Sequence, residues 1–235
     1  MSNLAGAGKR AAFVVSEFGI DPAWLGDSES ALCIRKGRPA LLVQGWRGLD
    51  TMEFADLTCG LAKEYKPRVM RVDATGVGAG VYDRLRAMQG EGRLDPAIIV
   101  EAVMWGGPAR NSERFANLKA EHWWALHERV RARDISLPRD DLLARQLKSQ
   151  EFTEDARGRI AIVGKEEMRR RGVPSPDRAD AVVLAYAGVD DEKAQGPVGV
   201  GKVSGWPSWS AVKPGGVVGR RGVPLSATAI GRNRR

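Results

Sequence analysis

Apolar and polar positions along the chain follow two periods, one suited to strands and one to helices. Phe13–Ile20, Ser30–Arg35 and Ala40–Trp46 are short runs rich in β-branched and other apolar residues and read as three strands in succession. Lys36-Gly37-Arg38-Pro39 forms the turn between the last two. Asp50-Thr51-Met52-Glu53 opens a helix running to about Lys66, with Asp50 as cap and Glu53 three residues on, and Pro67 stops it. Val69–Ala74 is a compact apolar strand containing Asp73, followed by a Gly-rich turn and a helix to about Met88. Ala97–Met104 is a further buried strand. Helical spacing runs from Asn111 to about Arg133, with Phe115, Leu118, Trp123, Leu126 and Val130 mostly on one side. Asp140–Gln150 reads as a shorter helix, Arg159–Val163 as a strand and Pro176–Val189 as a final amphipathic helix. Antiparallel strands first and strand–helix–strand units after them predict an α/β fold: a mixed β-sheet flanked by helices on both sides.

Composition narrows this picture. A chain of 235 residues suits one domain with extensions, and 43% hydrophobic residues are enough for a real core. The longest apolar stretch, Ala181–Val189, falls short of the roughly 20 residues a membrane helix needs. The N-terminus, MSNLAGAGKR, lacks the apolar core of a secretory signal. Cys33 and Cys59 stand alone without a CxxC pair, which argues against a disulfide scaffold or a structural zinc site. A cytoplasmic protein is expected.

Charge is unevenly distributed. Of 37 Lys and Arg against 29 Asp and Glu, the segment 191–235 holds eight bases against only Asp191 and Glu192. The same segment has nine Gly and four Pro and no apolar periodicity, so it reads as a flexible basic tail. Such a tail suits contact with a polyanionic backbone, and equally suits solubility. The expected organisation is an N-terminal extension over 1–12, a folded domain over 13–190 and the tail over 191–235.

Four acids share a context. Asp21 follows the first strand, Asp73 ends the fourth, and Asp177 and Asp180 open the last helix. Asp is poorly suited to a strand, so Asp73 after Val69–Val72 needs a reason. Unit charges about 4 Å apart repel by roughly 4 kcal/mol at an effective dielectric of 20. A carboxylate cluster therefore persists only when protonated, paired with bases or holding a cation, and hard divalent ions prefer such oxygens. Read singly, the residues have plainer roles: Asp21 as a turn residue before Pro22, Asp73 as a helix cap, Asp177 as a first-turn acid.

Longer segments point further. GIDPAWLGDSESALCIRKG (Gly19–Gly37), VDATGVGAGVYDRL (Val72–Leu85), RFANLKAEHWWALHERV (Arg114–Val130), ISLPRDDLLARQL (Ile135–Leu147) and GKEEMRRRGVPSPDRADAVVLAYA (Gly164–Ala187) occur in this order. Together they resemble the nuclease domain of the tailed-phage terminase large subunit, which has a ribonuclease H-like fold. The resemblance implies a metal-dependent endonuclease cleaving double-stranded DNA. It implies two Mg²⁺ or Mn²⁺ ions held by Asp21, Asp73 and Asp177. Junction resolvases of the same fold use both acids of a D-x-x-D pattern, which makes Asp180 a candidate fourth ligand or, instead, a buried partner for a neighbouring base. The implied partners are a terminase ATPase domain, the small terminase subunit and the portal. The only phosphate-loop candidate, Gly6-Ala7-Gly8-Lys9-Arg10, lacks the full pattern and follows no strand, so the motor domain is expected to be absent from this chain. Alternatives are a Holliday-junction resolvase or ribonuclease of the same fold, or a non-catalytic nucleic-acid-binding or assembly module.

Remaining signals are secondary. Lys165, Arg169, Arg170 and Arg171 form a basic segment before the acidic helix and are candidates for phosphate contact; Arg114 and Lys119 are weaker ones. Gly76-Val77-Gly78-Ala79-Gly80 does not match GxGxxG and reads as room for a helix beside Asp73, not as a dinucleotide site. Trp123 and Trp124 read as core or interface residues, and His122 and His127, five apart, as structural or surface residues. Asp27 reads as a turn residue with a second role beside the acids as the alternative.

Overall fold

The computed structural model describes residues 16–24 and 28–188. The expected N-terminal extension, the start of the first expected strand, Asp27 and the basic tail lie outside the described residues, as do the expected domain limits.

Five strands form one mixed sheet. β1 (Ser16–Asp21) pairs antiparallel with β2 (Ser30–Lys36), and β2 antiparallel with β3 (Ala40–Trp46). On its other side β1 runs parallel to β4 (Pro67–Asp73), which runs parallel to β5 (Ile99–Val103), so the order is β3-β2-β1-β4-β5. α1 (Thr51–Tyr65) leads into β4, and α2 (Gly78–Gly90) makes the crossover that a parallel β4–β5 pair requires. Asp50 caps α1 through the amides of Met52 and Glu53, while the Glu53 carboxylate accepts from the Asp50 amide. The chain leaves α1 through Lys66 in the left-handed region, and Pro67 begins β4 where the helix could not continue.

Strand alternation divides the core between two faces. Phe18, Ile20, Leu32, Ile34, Met70 and Val72 pack with Phe54, Cys59, Val81 and Leu85 from α1 and α2. Ala31, Cys33 and Val43 belong to the other cluster, with α3 (Leu118–Arg131), α4 (Asp141–Ser149) and α6 (Asp177–Tyr186). α6 lies directly on the sheet. A methyl group on Gly19 of β1 would overlap the Ala181 carbonyl oxygen and the Ala185 amide, so this contact of strand and helix backbone needs glycine.

Four local details differ from expectation. The helix expected from Asn111 starts at Leu118, capped by the Asn117 side chain on the Ala120 amide. Residues before it are drawn away because Ala116 donates to Ile160 and Ile160 donates to Arg114. A two-stranded hairpin, β6 (Phe152–Glu154) with β7 (Ile160–Ile162), extends the one strand expected there, and α5 (Lys165–Arg170) is an additional short helix. The final helix is not amphipathic: all its residues but Arg178 are buried, between the sheet and the helices α3 and α4. No helix among the described residues is long and apolar enough to cross a membrane.

Candidate functional site

The parallel pairing of β1 and β4 brings their C-terminal ends to one edge of the sheet, where ligands of open α/β sheets bind. Ile20 pairs with Val72, so Asp21 and Asp73, the last residues of the two strands, are neighbours there. The Asp73 side chain accepts from the Thr75 amide at 3.0 Å, which turns the chain toward α2. Gly78 then passes against the Asp73 carbonyl so closely that any Cβ would overlap it, so of the expected glycine run this residue is the one that makes room beside Asp73.

The start of α6 meets the same edge. Its cap position is Pro176, which offers no side-chain bond, and Gln146 of α4 supplies one instead. Gln146 Oε1 accepts from the amides of Arg178 at 2.9 Å and Ala179 at 3.2 Å. Asp177 is buried, accepting from the Ser175 hydroxyl on Oδ1 and from the Glu29 amide on Oδ2 at 2.9 Å. Asp180, one turn on, is fully buried at 0% exposure. Its Oδ1 accepts from Trp123 Nε1 at 2.9 Å and its Oδ2 from Lys119 Nζ at 2.9 Å. The Lys119 ammonium also lies over the Trp105 ring, 4.0 Å from its centre. Asp180 thus has protein donors on both oxygens, whereas Asp21 has no hydrogen bond among the side-chain contacts described.

A second lysine stands between these acids. Lys165, the first residue of α5, places Nζ 3.6 Å from Asp21 Oδ2, 3.7 Å from Asp177 Oδ1 and 3.3 Å from Asp180 Oδ2. Burial raises the Asp21 pKa well above the ordinary carboxylate value; Lys165 pulls it down, and Asp180, Asp73 and Asp177 push it further up. Burial opposes the charge on Lys165, yet Asp21, Asp180 and Asp177 outweigh it and hold the ammonium above the usual lysine range. Among the described residues no three acids, His or Cys stand close enough to hold a metal ion as arranged, since the carboxylates are spread around this lysine. The donor set is nonetheless all oxygen and anionic, and it already holds a cation, which is the chemistry Mg²⁺ or Mn²⁺ requires.

The other sequence candidates divide. Lys165 points into the acids, while Arg170 pairs with Glu167 and Arg171 with Glu167 and Glu151. Arg169 is exposed and makes no ion pair among the described residues. Arg114 stacks over Phe115 and Trp124, inside a small aromatic cluster. Trp123, Trp124, His122 and His127 are all buried. Glu29 and Ser175 bond directly to Asp177, and the sequence pattern marks neither. Nothing in the spacing marks Glu29, because its contact lies 148 residues away.

Comparison with known proteins bears on the fold that carries these residues. Residues 18–102 match the family model described as the terminase RNaseH-like domain. No curated protein matches the sequence. Among solved structures, the nuclease domain of the large terminase subunit gp2 of bacterial virus Sf6 superposes with a TM-score of 0.66 at 20% identity, covering 73% of this chain and 87% of that one. A lysine-to-alanine variant of that domain, solved with manganese and beta-thujaplicinol, gives 0.67 at 19% identity over the same shares of the two chains. The large terminase nuclease from thermophilic phage G20c, with bound magnesium, gives 0.54 at 16% identity, covering 74% of this chain and 81% of that one. The chain has the ribonuclease H-like fold of the nuclease domains of phage terminase large subunits.

Proposed function

We propose that this protein is a divalent-metal-dependent endonuclease that cleaves double-stranded DNA as the nuclease part of a viral genome-packaging terminase. The observation that carries the reading is the convergence of Asp21, Asp177 and Asp180 on one ammonium, with Asp73 beside Asp21 on the neighbouring strand. Related nuclease domains solved with magnesium, manganese, cobalt and calcium support it.

In this reading Asp21, Asp73 and Asp177 hold two ions, Mg²⁺ or Mn²⁺. Such ions activate a water and neutralise charge on the leaving oxygen of a phosphodiester. The protein's own residues prepare that chemistry. Asp21 and Asp73 are fixed by strand ends, and Asp177 by the first turn of a buried helix. Asp180 accepts from Trp123 and pairs with Lys119 and Lys165, and in this reading it serves by holding those two lysines. Lys165 balances the acids without metal and must withdraw for ions to enter. Its 39% exposed side chain leaves it a path to solvent. Arg169 and the tail bases then hold phosphates of the duplex. The terminase ATPase domain, small subunit and portal are the partners this reading implies.

The test is plasmid cleavage by the full chain in Mn²⁺, with and without chelator, beside Asp73→Asn. Cleavage that needs metal and is abolished in the variant is expected; undiminished cutting by Asp73→Asn would overturn the site. A four-way junction and an RNA–DNA hybrid offered in parallel separate the resolvase and ribonuclease alternatives.

A further inference from the structure

We propose that Glu29 is a positioning residue for Asp177 and that Gly45 is the opening in the sheet that lets it reach there. The proposal rests on the metal-site reading above and assigns the role to a residue outside the acidic set.

Glu29 grips the first turn of α6 at two consecutive residues. Its backbone amide donates to Asp177 Oδ2 at 2.9 Å, and its carboxylate Oε2 accepts from Arg178 Nε at 3.0 Å. Arg178 is tied in turn to Asp140 Oδ2 at 2.7 Å, and Asp140 caps α4 through the amides of Leu142 and Leu143. An unbroken series of bonds therefore runs from the cap of α4 through Arg178 and Glu29 to the Asp177 carboxylate. All three charged members are largely covered, with side chains 13–20% exposed, so solvent screens these bonds less than bonds at an open surface. Arg47 adds a looser contact to the other Glu29 oxygen, at 3.5 Å.

An amide bond of this kind suits a metal ligand. Each carboxylate oxygen has two lone-pair directions, so the Glu29 amide fixes the plane of Asp177 while leaving a direction free for a cation. Bonds of this sort around ligands set their orientation, and their loss typically weakens metal binding by about 10–100-fold.

Gly45 explains how Glu29 reaches this place. On β3, Gly45 pairs with Ala31, and the Glu29 side chain crosses directly over it. A methyl group there would overlap the Glu29 carboxylate and come within 3.0 Å of its Cβ. The whole side chain would have to move, not only its flexible tip. Glycine weakens a strand interior, and close approach of another group is one reason it is found there.

The experiment measures Mn²⁺ affinity of the full chain by titration calorimetry, with unfolding in chelator as a second readout. Glu29→Ala and Gly45→Ala keep the Glu29 amide but release its side-chain anchor on Arg178, and each is expected to weaken Mn²⁺ binding by up to about 10–100-fold in a chain that the chelator readout shows still folded. Glu29→Gln, which keeps an acceptor for Arg178, should recover most of the affinity. The double variant should bind no worse than Glu29→Ala alone, because both changes act through one contact. Wild-type affinity in Glu29→Ala and Gly45→Ala, or strictly additive losses, would overturn the role of Glu29 alone. A wild-type chain that takes up no Mn²⁺ would overturn the metal-site reading together with this role.

Discussion

The Lys165 ammonium lies 3.6 Å from the carboxylate of Asp21, a residue only 2% exposed. With Lys119 on Asp180, this lysine supplies the counter-charge for a group of buried acids without metal. Removing it leaves like charges facing one another, a situation that metal would relieve. Lys165→Ala is therefore expected to be less stable than wild type in chelator, by about 1–3 kcal/mol. It should also show a larger rise in melting temperature with Mn²⁺, measured by thermal scanning in both conditions. An equal Mn²⁺ shift in the two proteins would mean that the lysine and the metal do not compete.

Asp180 and Trp123 form a different kind of contact, a buried bond between α6 and α3. Truncating a buried charged partner leaves the other groups unpaired, which costs about 3–5 kcal/mol. Asp180→Ala should lose stability of that order in urea unfolding. Asp180→Asn, which keeps an acceptor of the same shape, should lose less and still bind Mn²⁺. A loss of Mn²⁺ binding in the folded Asn variant, as complete as in Asp21→Asn, would make Asp180 a ligand instead.

The raised pKa of Asp21 predicts a pH dependence whose sign can be worked out. The folded chain holds this proton more firmly than the unfolded chain, whose Asp titrates near the ordinary value of about 3.9. Between that value and the raised one the folded state binds more protons, so stability falls as pH rises through the window. Asp21→Asn lacks the titration, and its stability relative to wild type should grow from pH 4 upward and then level off. Urea unfolding in chelator across pH 4 to 8 measures it. Mn²⁺ must displace the same proton, so wild-type Mn²⁺ affinity should rise over the same window.

Gly19 sets the distance between β1 and α6, and through it the distance between Asp21 and Asp177. A Cβ there would meet helix backbone, which cannot yield as a side-chain tip would. Gly19→Ala should therefore cost at least the roughly 1–3 kcal/mol of ordinary overpacking. The measurement is the urea midpoint in chelator, and a midpoint equal to wild type would contradict the close packing described.

Much of the architecture is written in local pattern. Ala40–Trp46 and the capping box at Asp50 are visible in sequence because strand alternation and caps are short-range features. The acids at the ends of β1 and β4 are visible as unusual residues in apolar contexts. Their meeting depends on the parallel register of Ile20 with Val72, which only the order of family-like segments implied. The basic segment shows the limit of composition. Lys165 turns inward to the acids and Arg170 and Arg171 are paired, because α5 brings Glu167 within reach and β6 brings Glu151 close. The last helix reads as amphipathic yet is buried almost throughout: inside the protein Asp180 pairs with Lys119 and Lys165, and Asp177 accepts from the Glu29 amide. Contacts spanning more than a hundred residues leave no local trace.

Locating manganese by anomalous scattering in crystals soaked with Mn²⁺ tests the metal centre most directly. The expected result is a peak bounded by Asp21, Asp73 and Asp177, with the Lys165 side chain displaced toward solvent. Ordered carboxylates with Lys165 still among them at saturating Mn²⁺, and manganese bound elsewhere or not at all, would contradict it.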